Sequence, residues 1–214
     1  MNNHCMIRWR NKVISWIPWI SDLSEIRHLF KAATAWRKEG WSVPPAFFVR
    51  RAMLLSEARA IGAERFVETG TFLGDTTWSF RKKFRRIHTI EVEPGLATLA
   101  RERFEDYPSV TLVEGDSAMK LPEICRGLDA PCLFYLDGHY SGGFTGRGDK
   151  DCPIIEELNA IFTHTTPPFR IVIDDARLFG VDPCYPSVAT IKQLLSDQEI
   201  EMDLRIENDA IVIS

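Results

Sequence analysis

The sequence predicts an α/β fold built on a doubly wound, mainly parallel sheet of seven strands. Short apolar runs alternate with helical patterns between residues 65 and 196, as in strand–helix–strand units of a parallel sheet. Most of the apolar runs end on an acidic residue. The last two runs, near 200–206 and 210–213, are joined by a very short link, so we expect them to form an antiparallel hairpin.

The predicted elements follow one another along the chain, after a helix over about 46–61. Ligands of open α/β sheets bind beyond the carboxyl ends of the strands, so the acids at those ends are expected to line one crevice. The strands are expected at 65–68, 86–93, 110–116, 132–137 and 169–175, with helices at 75–84, 95–106, 117–126, 153–162 and 187–196.

Residues 1–45 are predicted to form an apolar and helical extension that precedes a domain over 46–214. The apolar run VISWIPWI at 13–20 is too short to span a bilayer, and no cleavage pattern follows it. We expect this tryptophan-rich run to pack on the domain. The alternative is a surface contact, either with a membrane or partner or within a homo-oligomer.

Composition excludes one class of function and suggests a compartment. The 214 residues carry a formal net charge of −4, whereas general nucleic-acid binders have a basic excess. The basic residues within 81–86 are expected at a helix end, where cations suit the helix dipole. The five cysteines have no zinc-like spacing, so we expect free thiols in the cytoplasm.

The segment ETGTFLGD, residues 68–75, follows the first predicted strand and opens a helix. Gly70 is expected to allow a tight turn and the close approach of a ligand, and Gly74 to let the helix start pack near the strand. The dinucleotide pattern G-x-G-x-x-G is not present, because Glu68 stands at its first glycine position. An acid there would repel a pyrophosphate and suits a ligand with an ammonium group.

Acids also follow the second and third predicted strands. Glu91 comes about 20 residues after Glu68, where it could take the two hydroxyls of a ribose. Glu93 is the second choice, because the predicted strand end is uncertain by a residue or two. Asp116, in GDS, could accept a hydrogen bond from an adenine amino group. An adenosine with a cationic, amino-acid-like tail is S-adenosylmethionine.

These motifs, together with D-G-H after strand four, resemble those of class I S-adenosylmethionine-dependent methyltransferases over roughly residues 60–214. The resemblance implies a Rossmann-like methyltransferase fold whose last strand is inserted antiparallel in a seven-stranded sheet. It also implies a set of cofactor-binding residues, namely Glu68, Thr69, Gly70, Thr71, Gly74, Asp75, Thr76, Glu91, Asp116, Ser117 and Asp137.

Two later motifs, FYLDGHY and IVIDDARLFG, resemble the small-molecule O-methyltransferase branch that includes macrolide-sugar enzymes. In many members, acids after strands four and five bind magnesium, which implies Asp137, Asp174 and Asp175 here. Magnesium prefers hard oxygen ligands and lowers the pKa of a bound hydroxyl. The resemblance also implies a catalytic role for His139 as general base, beside Asp137. The glycine-rich loop after His139 is expected to form a flap.

The predicted activity is S-adenosylmethionine-dependent O-methylation of a small hydroxylated molecule, such as a sugar or natural-product intermediate. A nicotinamide-dependent oxidoreductase is the first alternative, disfavoured by the missing G-x-G-x-x-G. The second alternative is a non-catalytic protein with a methyltransferase-like fold that binds a partner through its tryptophan-rich N-terminus. Neither a nucleic-acid partner nor a transmembrane segment is expected.

Overall fold

The computed structural model describes residues 44–138 and 152–214. The chain divides into two compact units, Met1–Arg50 and Arg51–Ser214. Every described strand lies in the second unit. The predicted N-terminal extension, with its tryptophans, falls almost wholly outside the described residues. Its boundary near residue 45 therefore stays a prediction.

The described elements alternate as the sequence predicts. The helices are α1 (Phe47–Ala60), α2 (Asp75–Phe80), α3 (Pro94–Phe104), α4 (Ser117–Arg126), α5 (Ile154–His164) and α6 (Val188–Asp197). The strands are β1 (Arg65–Thr69), β2 (Arg86–Glu91), β3 (Val110–Glu114), β4 (Cys132–Leu136), β5 (Phe169–Ile173), β6 (Leu204–Glu207) and β7 (Ala210–Ile213). No described helix has the length and apolar character needed to cross a membrane.

One seven-stranded sheet carries all of these strands in the order β3-β2-β1-β4-β5-β7-β6. The first five strands pair in parallel. The last strand, β7, is inserted antiparallel between β5 and β6, and β6–β7 form the predicted hairpin. The predicted fold class, including the antiparallel last strand, is therefore confirmed.

Helices cover both faces of the sheet, which explains why its strands read as nearly continuous apolar runs. On one face Phe66 and Tyr135 pack with residues of α1 and α2. On the other face Val67 and Leu136 pack with residues of α4, α5 and α6. Successive residues of each strand thus enter different cores, and both sides of the strand ends are held in place.

Several elements end earlier than predicted, among them α2 and β2. Helix α2 stops at Phe80, not near residue 84, and the guanidinium of Arg81 lies 3.8 Å from the centre of the Trp78 ring. Strand β2 stops at Glu91 because Glu93 caps the next helix, where its carboxylate accepts a hydrogen bond from the Leu96 N–H. At the end of β2, a side-chain cap thus starts the next helix where the apolar pattern predicts a longer strand.

Candidate cofactor site

Parallel pairing brings the carboxyl ends of the central strands to one edge of the sheet. Strand β1 lies between β2 and β4, and Glu68 is paired in register with Thr89 and Tyr135. Beyond the strand ends, the Asp137 N–H donates to the Thr69 carbonyl oxygen at 3.1 Å. The predicted site residues on these strands therefore meet at the same edge.

Glu68 is buried under a set of threonine hydroxyls. Its Oε2 atom accepts hydrogen bonds of 2.7 Å from both Thr77 and Thr89. The Thr71 hydroxyl lies 2.6 Å from Thr89 Oγ1. Burial raises the pKa of Glu68 to about 7; the hydroxyls act against this shift, and the charge of Glu91 adds to it. Glu68 is thus a carboxyl group that a nearby cation would ionise.

The first predicted glycine, Gly70, holds a backbone conformation that requires glycine. Its φ angle is +81°, and a Cβ atom built on it would lie 2.4 Å from the Asp137 carbonyl oxygen. The chain therefore makes the predicted tight turn after β1. The group that approaches Gly70 closely is the backbone just after β4. Gly74, with φ of +76°, precedes α2, and a Cβ there would lie 3.0 Å from the Phe104 ring.

Glu91 holds the turn that follows Gly70. Its two carboxylate oxygens accept hydrogen bonds from backbone N–H groups, at 2.7 Å from Phe72 and 3.0 Å from Glu93. Glu91 is buried at the end of β2, whereas the Glu93 carboxylate is used as a helix cap. Of the two candidates for the ribose, Glu91 lies at the strand end beside the turn.

The predicted adenine residues lie at the start of α4. Asp116 is the N-cap of this helix, and its Oδ1 accepts a hydrogen bond of 2.8 Å from the Ala118 N–H. Ser117 is buried beside it. A capping role and a ligand role are compatible, because a carboxylate has further acceptor positions.

Four further residues that were predicted to bind the cofactor lie from the end of β1 to the start of α2, and they differ in burial and in their contacts. Thr69 and Thr71 are buried, and Thr69 Oγ1 makes no hydrogen bond within the described residues. Thr76 is half-buried. Asp75 is exposed and forms an ion pair of 2.8 Å with Arg103. The structure thus places Asp75 at the rim, paired with a helix α3 side chain.

The three aspartates predicted as metal ligands follow β4 and β5. The Tyr135 hydroxyl lies 2.6 Å from Asp174 Oδ2 and 3.2 Å from Asp137 Oδ2. Asp174 Oδ1 accepts a hydrogen bond from the Asp175 N–H at 2.9 Å. The Asp175 carboxylate forms an ion pair with Arg177 at 2.7 Å.

These contacts do not fit a magnesium ion. Magnesium needs carboxylate oxygens directed at a common point in octahedral geometry, but a hydroxyl, a backbone N–H and a guanidinium engage the oxygens of Asp174 and Asp175. Within residues 44–138 and 152–214, no group of three or more His, Cys, Asp or Glu side chains is placed to hold a metal ion.

The predicted base, His139, and the rest of the glycine-rich loop lie outside the described residues. Its role therefore stays a prediction. The description ends at Gly138, where a Cβ atom would lie 3.0 Å from Thr69 Oγ1. The chain thus leaves β4 close to the end of β1.

Four polar residues near the strand ends were not predicted. Thr77 and Thr89 bind Glu68, Tyr135 bridges two aspartates, and Glu157 is a fully buried acid on α5. Thr89 and Tyr135 stand out as polar groups inside buried strands. Glu157 lies on the apolar face of its helix, three residues after Ile154. This position in the helical pattern could have indicated a buried acid from the sequence alone.

Several solved structures are similar to this chain. The O-methyltransferase TomG from Streptomyces achromogenes, which is involved in tomaymycin synthesis and was solved in complex with SAM, has a TM-score of 0.58 and 22% identity over 86% of this chain and 87% of its own. An O-methyltransferase from Bacillus cereus in complex with SAH has a TM-score of 0.56 and 16% identity, covering 86% and 88%.

A SAH-bound methyltransferase from Podospora anserina has a TM-score of 0.52 and 18% identity, covering 77% of this chain and 76% of its own. No family model and no curated protein matches the sequence. The strand order and these likenesses show that the chain has the Rossmann-like fold of class I S-adenosylmethionine-dependent methyltransferases. Sequence identities this low show a shared fold and nothing more specific.

Proposed function

We propose that this chain binds S-adenosylmethionine and transfers its methyl group to a hydroxyl group of a small molecule. The observation that carries the proposal is Glu68, a buried carboxyl group at the end of β1 that forms no ion pair within the described residues. A site that keeps an acid buried without a cation fits a ligand that brings an ammonium group.

The other residues at the strand ends fit the rest of such a ligand. Glu91 would hold the ribose hydroxyls while its backbone contacts keep the turn after Gly70 in place. Asp116 and Ser117 would contact the adenine from the start of α4. The close approach of Gly70 to Asp137 keeps side chains away from this position, so the turn can lie near a ligand.

When bound, S-adenosylmethionine supplies an activated methyl group on a sulfonium centre. The protein would orient the acceptor hydroxyl in line with that carbon and remove its proton. His139 is the proposed base, and Asp137, two residues before it, would line the same position. The Tyr135 hydroxyl lies within hydrogen-bond distance of both Asp137 and Asp174, so a second carboxyl group lies near Asp137.

The choice of oxygen as the methyl acceptor is supported by the O-methyltransferases from Streptomyces achromogenes and Bacillus cereus among the similar structures. The same fold also occurs in the N-methyltransferase NodS from Bradyrhizobium japonicum, with a TM-score of 0.50 and 13% identity. A panel of hydroxylated and aminated small molecules, assayed with labelled S-adenosylmethionine, tests this part of the proposal. Labelling of amines alone would contradict it.

Calorimetry with S-adenosylhomocysteine tests the cofactor directly. The wild-type chain should bind it, and E68Q, which keeps the shape but removes the charge, should bind at least about tenfold more weakly. E64Q is the matched control, because Glu64 is half-exposed just before the same strand. Equal affinity of E68Q and wild type would remove Glu68 from the site, and no binding by wild type would contradict the proposal.

The base is tested separately from the cofactor. H139A should bind S-adenosylhomocysteine like wild type and lose turnover, because a residue that only moves a proton contributes little to cofactor affinity. The binding measurement is the control for folding. Full turnover of H139A would show that another group accepts the proton.

We further propose that the protein acts in the cytoplasm. The proposal is supported by Cys125 and Cys132, two buried cysteines that remain free thiols. Burial raises the pKa of the Cys132 thiol, and the nearby Cys125 adds to this rise. Thiols of this kind persist in a reducing compartment. Fractionation of cells that produce the chain tests this proposal, and recovery only outside the cytoplasm would contradict it.

A further inference from the structure

Glu157 is a buried acid that has no role in the proposed function. It lies on α5 with 0% of its surface exposed, on the same helix face as Ile154, Leu158 and Ile161. Neither of its carboxylate oxygens makes a hydrogen bond within the described residues. Acids are almost never fully buried unless they are paired, so this side chain requires an explanation.

The surroundings of Glu157 are the end of β1, the end of β4 and the start of α4. A Cβ atom on Gly138 would lie 3.4 Å from Glu157 Oε1 and 3.0 Å from Thr69 Oγ1. Both oxygens therefore face the same point beside Gly138, and the Thr69 hydroxyl also makes no hydrogen bond within the described residues. The Ser117 hydroxyl is near enough to act on the carboxyl group.

The charges around Glu157 favour its neutral form. Burial raises its pKa to about 7, and the neighbouring acids Asp116 and Glu156 act in the same direction. The hydroxyls of Ser117 and Thr69 act against this shift without cancelling it. Among the described titratable groups, the acids Asp116 and Glu156 act on Glu157, and the Cys152 thiol, just before α5, is also near enough to interact with it. Ionisation of Glu157 therefore adds negative charge beside two other acids.

We propose that Glu157 is a positioning residue of the cofactor pocket, whose neutral carboxyl group packs beside Thr69 and Gly138 and whose ionisation weakens cofactor binding. The inference rests on the proposed function, in which Thr69 and Ser117 contact S-adenosylmethionine. A bound cofactor would exclude water from this corner, which costs the ionised carboxyl group more free energy than the neutral one. The ionised group is also repelled by Asp116.

Binding and protonation must then be linked in both directions. If the cofactor favours the protonated form, S-adenosylhomocysteine raises the pKa of Glu157 when it binds. Carbon-13 NMR of the wild-type chain, labelled at the glutamate carboxyl groups, measures this with no substitution. A rise on saturation with S-adenosylhomocysteine is expected. An unchanged or lowered pKa would overturn the inference.

A variant provides the second measurement. E157Q keeps a donor and an acceptor at every pH, so it should bind S-adenosylhomocysteine like wild type at pH 6. At pH 8 it should bind about fivefold tighter than wild type, in the range typical of coupled sites. E123Q, at an exposed position of helix α4, is the matched control and should keep the wild-type pH dependence.

The two proposals fail in different ways. No binding of S-adenosylhomocysteine by wild type at either pH contradicts the proposed function and this inference together. Binding with the same ratio of E157Q to wild-type affinity at pH 6 and pH 8 contradicts the inference alone. Because Glu68 is present in both proteins, its own ionisation cancels in that ratio. A purely structural role of Glu157 would change stability and leave the ratio constant.

Discussion

Gly70 and Asp137 approach each other so closely that a Cβ atom on Gly70 would lie 2.4 Å from the Asp137 carbonyl oxygen. This contact joins the turn after β1 to the end of β4, on which the predicted cofactor and catalytic residues lie. Because the close neighbour is backbone, a side chain at residue 70 cannot be accommodated by a change of rotamer. The spacing of the two loops therefore depends on one glycine.

The variant G70A tests this contact. It should lower the free energy of unfolding by about 3 kcal/mol, since the left-handed conformation and the clash each cost about 1–2 kcal/mol. G62A is the matched control, because Gly62 also has a positive φ, of +61°, but a Cβ there meets nothing within 4 Å. Urea denaturation measures both, and equal losses would show that the clash relaxes.

Removal of a hydroxyl that binds Glu68 should also destabilise the fold. T89V keeps the shape of the side chain but deletes the 2.7 Å hydrogen bond to Glu68 and the contact with Thr71. The expected loss is about 1–3 kcal/mol, because the remaining polar groups stay buried. T98V, at an exposed helical position, should change stability by about 0.5 kcal/mol or less. Similar losses in both variants would contradict the importance of this network.

Stability should fall as the pH rises through the range from about 4.5 to about 7. Glu68 and Glu157 have pKa values raised by burial from 4.5 to about 7, so in this window the unfolded chain loses protons that the folded chain keeps. Each group costs at most about 3 kcal/mol above the folded pKa. Urea denaturation at pH 5 and pH 8 measures the difference.

The share of Glu157 in this pH dependence can be isolated. E157Q cannot ionise, so its advantage over wild type should be small at pH 5 and largest at pH 8. E123Q serves as the control, because Glu123 is exposed on helix α4. An advantage of E157Q that does not change with pH would mean that Glu157 is ionised in the folded state at both values.

Magnesium should have little effect on this protein. Because the oxygens of Asp174 are engaged by Tyr135 and the Asp175 backbone, the ion should raise the melting temperature by less than about 1 °C. S-adenosylhomocysteine is the positive control in the same measurement. A clear rise with magnesium that is lost in D174N would show that the aspartates exchange these contacts for the ion.

The sequence by itself determined the fold class, the order of elements and the strand-end acids. Apolar runs alternating with helical patterns require a covered parallel sheet, and the short link after residue 206 requires a hairpin, so these features follow from local patterns. The positive φ of Gly70 was predictable for the same reason, because a tight turn between a strand and a helix needs glycine.

Only the tertiary structure decided which partners surround each acid. Glu68 is buried by Thr77 and Thr89, which are nine and 21 residues away along the chain, and no local pattern encodes such a pairing. The contact between Tyr135 and Asp174 joins residues that are 39 positions apart along the chain. Strands and turns depend on residues that are neighbours in sequence, so the sequence predicts them. Contacts between distant residues depend on how the elements pack, so only the tertiary structure shows them.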